Sequence, residues 1–164
     1  MKYIKEYMPY VICIIMVILI RTFIVTLVRV DGSSKVPNLK NGEILVLKKY
    51  DKSFDRFDIV VLKHGSEKLI KRIIGLPGEH IKYKDGKLYV NDKVVKETFN
   101  YEKTADFDIK SLGYNKIPDG YYFVVGDNRD NSLDSRYIGL IKQSDIEGVT
   151  NFSLFPFNTF GTIN

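Results

Sequence analysis

Two periodicities divide this chain near residue 21. Residues 9–20, PYVICIIMVILI, show no polar face, and Lys2 and Lys5 precede them. From Thr22 onward, β-branched residues fall at every second place: Ile24, Thr26, Val28 and Val30. That is the period of a half-buried strand. Residues 43–48, 57–63, 68–74, 80–83, 87–90 and 120–125 also read as strands. Asp85-Gly86, between two of them, is a hairpin signal. No amphipathic helix of useful length follows residue 21. Residues 92–118 are the least patterned and read as loop and edge material, a candidate small lobe inserted in a barrel. The pattern predicts an all-β domain of catalytic size over residues 22–164, carried on one helix within residues 1–21.

The first segment has three readings. A cleaved leader needs small residues after its apolar core, and Arg21-Thr22-Phe23 supplies none. A buried soluble helix would show a polar face. A retained transmembrane helix fits: counted from Tyr3, roughly 18 residues precede Arg21, enough to just span a bilayer core. Lys2 and Lys5 favour a cytoplasmic N-terminus. Arg21 pulls the other way, but an arginine at a helix end can snorkel to the interface. The remaining chain is then extracytoplasmic and close to membrane lipid.

Composition narrows the chemistry. A chain of 164 residues is one domain, or one domain with a small extra lobe. The net charge of +5 comes from scattered lysines, which do not make a nucleic-acid footprint. Cys13 is the single cysteine, so no intramolecular disulfide framework exists. The two histidines, His64 and His80, lie in no metal-ligand spacing. Both sit beside turn residues and read as surface side chains. No metal and no cofactor is expected.

The most unusual stretch is residues 124–140, VVGDNRDNSLDSRYIGL. An apolar run stops at Gly126, and aspartates, arginines, asparagines and serines follow almost without a break. That composition suits a loop whose side chains bond to one another and to their own backbone. Arg129 and Arg136 can fork onto Asp127, Asp130 or Asp134. A plain turn needs far fewer residues, so the stretch reads as a scaffold that positions reacting groups. A calcium loop fails, because glycine and glutamate are missing from its sixth and twelfth places.

With histidine set aside, lysine remains to activate a nucleophile. A serine–lysine pair works when the lysine is desolvated enough to be neutral. Residues 30–39, VDGSSKVPNL, offer serines on a turn, and Lys71 lies on an apolar strand, in KRIIGLPG (71–78). Read alone, such a lysine more often points to solvent on the alternate face.

Together the three stretches resemble type I signal peptidase, the bacterial membrane-bound Ser/Lys endopeptidase family. Its boxes appear in order as Ser34-Lys35-Val36-Pro37, as Lys71 to Gly78, and as Gly126 to Arg136. The resemblance implies that Ser34 is the nucleophile and Ser33 only its neighbour. It implies that Lys71 is the general base, that Ser132 aims the Lys71 amine, and that Asp134 and Arg136 pair to hold the loop. It implies an oxyanion donor in the Ser34 backbone N–H. Where some relatives add a serine hydroxyl, this chain has Gly32, so a backbone group or water must serve. The implied partners are exported precursor proteins with small residues before the cleavage site, membrane lipid and the export machinery.

Three positions depart from the family pattern. Lys35 replaces a methionine, Asn38 a threonine, and Phe57 a glycine before Asp58. The aromatics of residues 151–157 suit either core or a membrane interface. The competing function is a non-catalytic accessory or chaperone protein of this fold in surface-protein or pilus assembly. A self-cleaving Ser/Lys repressor would need a helical DNA-binding module, and this chain offers an apolar helix instead.

Overall fold

The computed structural model describes residues 2–30, 39, 41–49, 53–99 and 101–163. Helix α1 (Lys2–Phe23) leads into β1 (Val25–Arg29). There follow β2 (Ile44–Lys48), β3 (Ile59–His64), β4 (Glu67–Gly75), β5 (Ile81–Lys84), β6 (Lys87–Val90), β7 (Lys93–Val95) and β8 (Phe107–Asp108). The chain ends through β9 (Tyr121–Val125), a single turn of helix α2 (Ser135–Ile138), β10 (Ile141–Lys142), β11 (Ile146–Phe155) and β12 (Gly161–Thr162). The larger sheet has the order β1-β2-β11-β3-β4-β9-β10, with β12 beside β11. The smaller sheet has the order β7-β6-β5-β8. All pairings are antiparallel.

The fold is organised around β4. Its residues from Ile70 to Gly75 are all buried, on both faces. Ile73 joins Val60, Leu62, Val124 and Ile146 on one side. Ile70 joins Val28, Val30, Leu39, Leu45 and Val61 on the other. Ile74 packs with Phe123, Ile81 and Tyr83, so the smaller sheet shares its core with the end of β4. Gly75 makes this possible: a Cβ there would lie 2.5 Å from Ile117 Cδ1 and 2.6 Å from Ile81 Cγ1.

The predicted strands form where the pattern placed them, within one or two residues at their ends. Asp85 and Gly86 turn the β5–β6 hairpin with φ of 51° and 73°. That left-handed pair matches the right-handed twist of the strands. Asn91 and Asp92 repeat the geometry before β7, with φ of 49° and 64°. β11 escaped the alternation test although it is the longest strand. Its register shifts between Ile146 and Gly148, and twice more between Thr150 and Phe155. Each bulge turns the following side chains to the other face.

Two expectations need correction. Among the described residues, no helix is long and apolar enough to cross a membrane. A span counted from Tyr3 takes in Lys5 and Glu6. The uncharged stretch is residues 7–20, about 21 Å of helix against a hydrocarbon core of about 30 Å. The side chains of residues 7–19 are nevertheless all exposed, and nearly all are apolar. The core reading of the late aromatics also fails for Phe155 and Phe157, which are 47% and 82% exposed.

Replacing Gly75 by alanine should cost about 1–3 kcal/mol through overpacking. Thermal unfolding followed by circular dichroism would show a lowered midpoint. An unchanged midpoint would mean that Ile81 and Ile117 yield freely.

Candidate active site

β4 carries Lys71 and Arg72 in succession, so their side chains leave on opposite faces. Both are buried, at 3% and 4% exposure. Two adjacent buried cations each need a polar partner. The loop after β9 supplies both.

Lys71 Nζ donates to Ser132 Oγ at 3.0 Å. Desolvation lowers its pKa from 10.5 to about 8. Asp134 raises it, Arg136 lowers it and Asp127 raises it, in that order of size, and burial prevails. The amine is therefore within reach of its neutral form near physiological pH, which a base requires. A lysine read alone would more often face solvent, but β4 is covered on both faces.

Arg72 forks onto Asp127 with Nε–Oδ1 of 2.9 Å and Nη2–Oδ2 of 2.8 Å. Its Nη1 donates to the Phe57 carbonyl at 2.9 Å, and its guanidinium lies 3.9 Å from the Phe99 ring centre. Phe57 stands where the resembled family has glycine, and its φ is 77°. That left-handed conformation is one that glycine adopts most readily. Here the Phe57 ring meets Phe99 edge-on at 5.4 Å, beside Arg72.

Asp134 caps α2 by accepting from the Arg136 backbone N–H at 3.2 Å. Its carboxylate also takes the Arg136 guanidinium at 2.9 and 2.8 Å, and the Gly126 N–H at 3.0 Å. Ser135 Oγ accepts from the Val124 N–H at 3.0 Å, which fastens the end of β9. Asp134 and Arg136 thus form an ion pair. Arg129 does not fork onto an aspartate: its Nη2 donates to Glu97 Oε1 at 2.6 Å. Asp130 is exposed and pairs with no arginine among the described residues.

The structure brings together Lys71, Ser132, Asp134 and Arg136. Ser34, Ser33, Gly32 and Lys35 lie outside the described residues. Arg72, Ser135 and Glu97 were not singled out from sequence. A signal for Arg72 was present: two consecutive cations inside an apolar strand must face two ways, so a second acid was required. Glu97 gave no signal, because its partner lies 32 positions away. Neither histidine joins the site. His80 Nε2 sits 2.9 Å from Asp108 Oδ1, and His64 is exposed. Among the described residues no cluster of three His, Cys, Asp or Glu side chains could hold a metal ion.

An antiparallel sheet that keeps a buried amine on a serine hydroxyl is a frame suited to a peptidase. Comparison with known proteins agrees. The chain belongs to the signal peptidase family, peptidase S26, whose sequence model matches residues 3–155. Signal peptidase I S of Bacillus subtilis (strain 168) is 41% identical over 94% of this chain and 90% of that protein. Signal peptidase I V of the same organism is 42% identical over 85% of this chain and 91% of that protein. The crystal structure of a signal peptidase I from Enterococcus faecalis V583 superposes with a TM-score of 0.55 and 38% identity. It covers 59% of this chain and 96% of that one.

Burial of Lys71 carries a stability cost with a defined pH window. Below pH 8 both folded and unfolded states hold the proton, and the folded state bears the full cost of a buried ammonium. Between about 8 and 10.5 the unfolded chain keeps a proton that the native state has lost, so stability rises with pH. Lys71→Met should therefore be more stable than the wild type at pH 7, by about 1–3 kcal/mol. Its advantage should shrink as the pH climbs from 8 to 10.5. Urea unfolding at several pH values would show this. A constant difference across the window would contradict it.

Proposed function

We propose that this protein is a membrane-attached serine endopeptidase that removes N-terminal signal peptides from exported precursor proteins. Ser34 is the nucleophile and Lys71 the general base. The observation that carries this reading is the buried Lys71 amine held on Ser132 Oγ at 3.0 Å.

The flanks of the Ser34 segment support its role. Val30 and Leu39 are both buried in the cluster that holds Ile70, the residue before Lys71. Leu39, Ile70, Lys71, Arg72 and Asp127 line one small space. Val30 and Leu39, the described residues on either side of this segment, thus both lie in the cluster beside the lysine.

The sheet supports a groove for a substrate. β1 and β4 are separated by four antiparallel steps, so they run in the same direction. Between Leu27–Arg29 and Glu67–Ile70 lies a groove of about 600 Å³. β1 pairs with β2 alone, and β9 joins β4 only from Arg72 onward. Each wall of the groove thus presents a strand edge without a strand partner among the described residues. An extended peptide can add there as a strand. β1 leads away from α1 toward residue 34, so a precursor emerging from the same membrane runs along the groove in that direction. Its scissile carbonyl then arrives where Lys71 follows Ile70.

The chemistry follows in two acyl transfers. Ser34 Oγ attacks the carbonyl carbon while Lys71 Nζ takes the hydroxyl proton. The C–N bond breaks, and Lys71 returns that proton to the leaving amine. Water then attacks the ester, gives a proton to Lys71, and Oγ regains it on release. The Ser34 backbone N–H donates to the oxyanion, with a backbone group or water near Gly32 as the second donor. Ser132 aims the amine, and Asp134 with Arg136 holds Ser132's loop.

Attachment to the membrane rests on α1. Its apolar side chains are exposed over residues 7–19, and charges at both ends can snorkel. Ile24 and Leu27 continue the exposed apolar surface into β1, and Phe155, Phe157 and Phe160 add to it elsewhere on the domain. Snorkelling of Lys2, Lys5 and Arg21, with local thinning of the bilayer, would let this short apolar stretch reach across, with the N-terminus in the cytoplasm and the β domain outside it. Lys35 in place of the family's methionine favours one other reading, an accessory protein that binds precursors without cutting them.

Purified protein given a precursor with an Ala-x-Ala site should cleave it. Ser34→Ala and Lys71→Met should each abolish cleavage, and Ser33→Ala should cost little. kcat/KM should rise with pH through about 8, where the base loses its proton. Activity retained in Lys71→Met, or lost in Ser33→Ala alone, would refute the assignment. An inactive but precursor-binding wild type would establish the accessory role. For topology, external protease on wall-stripped cells should digest the chain beyond residue 30 and spare the N-terminus. Complete protection of the domain would place it on the wrong side of the membrane.

A further inference from the structure

Among the described residues, the most deeply buried ion pair lies outside the proposed dyad. Glu97 and Arg129 pair with side chains 1% and 0% exposed. Arg129 Nη1 donates to Tyr83 Oη at 3.0 Å and also to Thr104 Oγ1. Its guanidinium lies over the Tyr101 ring, 4.7 Å from the centre. Glu97 Oε1 further accepts from Tyr83 Oη at 3.1 Å. The pairing is nevertheless incomplete, because Glu97 Oε2 and Arg129 Nε are buried without a hydrogen-bond partner.

Stability alone accounts poorly for such a pair. Two desolvated charges with unmet bonding capacity are often matched or bettered by apolar residues of similar volume. What distinguishes this pair is where it fastens the chain. Glu97 follows β7 and Thr104 precedes β8, so both belong to the segment that links strands of the smaller sheet. Arg129 belongs to the loop that carries Ser132. The same segment holds that loop twice more, from the Glu102 N–H to the Asp127 carbonyl at 3.3 Å and from the Asp130 N–H to Glu102 Oε2 at 3.4 Å. The Arg129 carbonyl in turn accepts from Arg136 Nη2 at 2.7 Å.

We propose that Glu97 is a positioning residue for the peptidase reaction: it anchors Arg129, whose carbonyl orients Arg136, and through the Arg136–Asp134 pair it keeps the Lys71 amine buried and aimed. The smaller sheet is then part of the catalytic apparatus, although it touches no reacting atom. This rests on the reading of Lys71 as the base.

The consequence for pH has a definite sign. Among the described residues, the charged groups acting on Lys71 are Asp134, Arg136 and Asp127, all from the loop and α2. β3 places Val60 opposite Lys71 and adds no charge there. If Arg129 is released, Arg136 loses one of its three acceptor oxygens, the loop loosens, and water reaches the amine. Burial is the largest influence on Lys71, so its loss moves the amine back toward 10.5.

The test uses the full chain in detergent and two variants. The double variant Glu97→Leu/Arg129→Met replaces the ion pair with apolar side chains, and Thr104→Val removes one acceptor from Arg129. Both should keep a cooperative thermal transition. The double variant should lose about tenfold or more in kcat, with KM within about threefold. Its acid limb should move up by about half a pH unit or more. Thr104→Val should move the same quantities in the same direction by less. The pH dependence of Lys71 labelling by a small amine reagent, read by peptide mass spectrometry, should shift in parallel. That readout needs no substrate. A wild type that fails to cleave would therefore count against the peptidase reading and leave the labelling result to decide the positioning role. Wild-type kcat and an unmoved acid limb in the folded double variant would overturn the proposal, as would a change confined to KM. If the double variant does not fold, unmoved labelling and acid limb in Thr104→Val would overturn it.

Discussion

The structure depends on keeping one ammonium-forming group out of water. An amine inside an apolar core is unfavourable when charged, and the domain meets this by covering β4 on both faces and giving Lys71 a hydroxyl partner, Ser132. The resulting fall in pKa to about 8 costs stability at neutral pH and brings a residue that is ordinarily a cation within reach of its neutral form.

The polar loop after β9 follows from that choice. β4 buries two cations, Lys71 and Arg72, and alternation sends them to opposite faces. Arg72 is neutralised by a bidentate carboxylate, Asp127. Lys71 is not, and Asp134, the acid that could neutralise it, is occupied by Arg136 and by the N-terminus of α2. The loop therefore separates one permanent charge pair from one amine free to lose its proton. Ser135 and the Gly126 N–H tie this arrangement to β9, so the site is held by the sheet rather than by the loop alone.

Much of this was legible in the sequence, and the exceptions have physical causes. Strand patterning located β1, β2, β3, β4, β5, β6 and β9, by period-two alternation in β1 and by a short apolar run in β9. β11 was missed because its bulges break the period and because Gly148 reads as a breaker. The motifs pointed to Lys71, Ser132, Asp134 and Arg136 as one group, and the geometry joins them. The partner of Arg129 was misread: a loop rich in aspartate suggested a local acid, whereas Glu97 reaches it from the other sheet. Local composition cannot reveal a pair whose members are brought together only by tertiary packing. The length of the apolar helix was over-read, because Lys5 and Glu6 interrupt the span counted from Tyr3.

Burial, and not a neighbouring charge, holds the Lys71 pKa below its ordinary value. Direct titration of its side chain in the wild-type protein, by 13C NMR of labelled lysine without substrate, tests that claim most closely. The midpoint should lie near 8 and move little with salt, because buried groups are weakly screened. A midpoint near 10.5 would show that the amine is solvated and ordinarily charged, and would contradict the account.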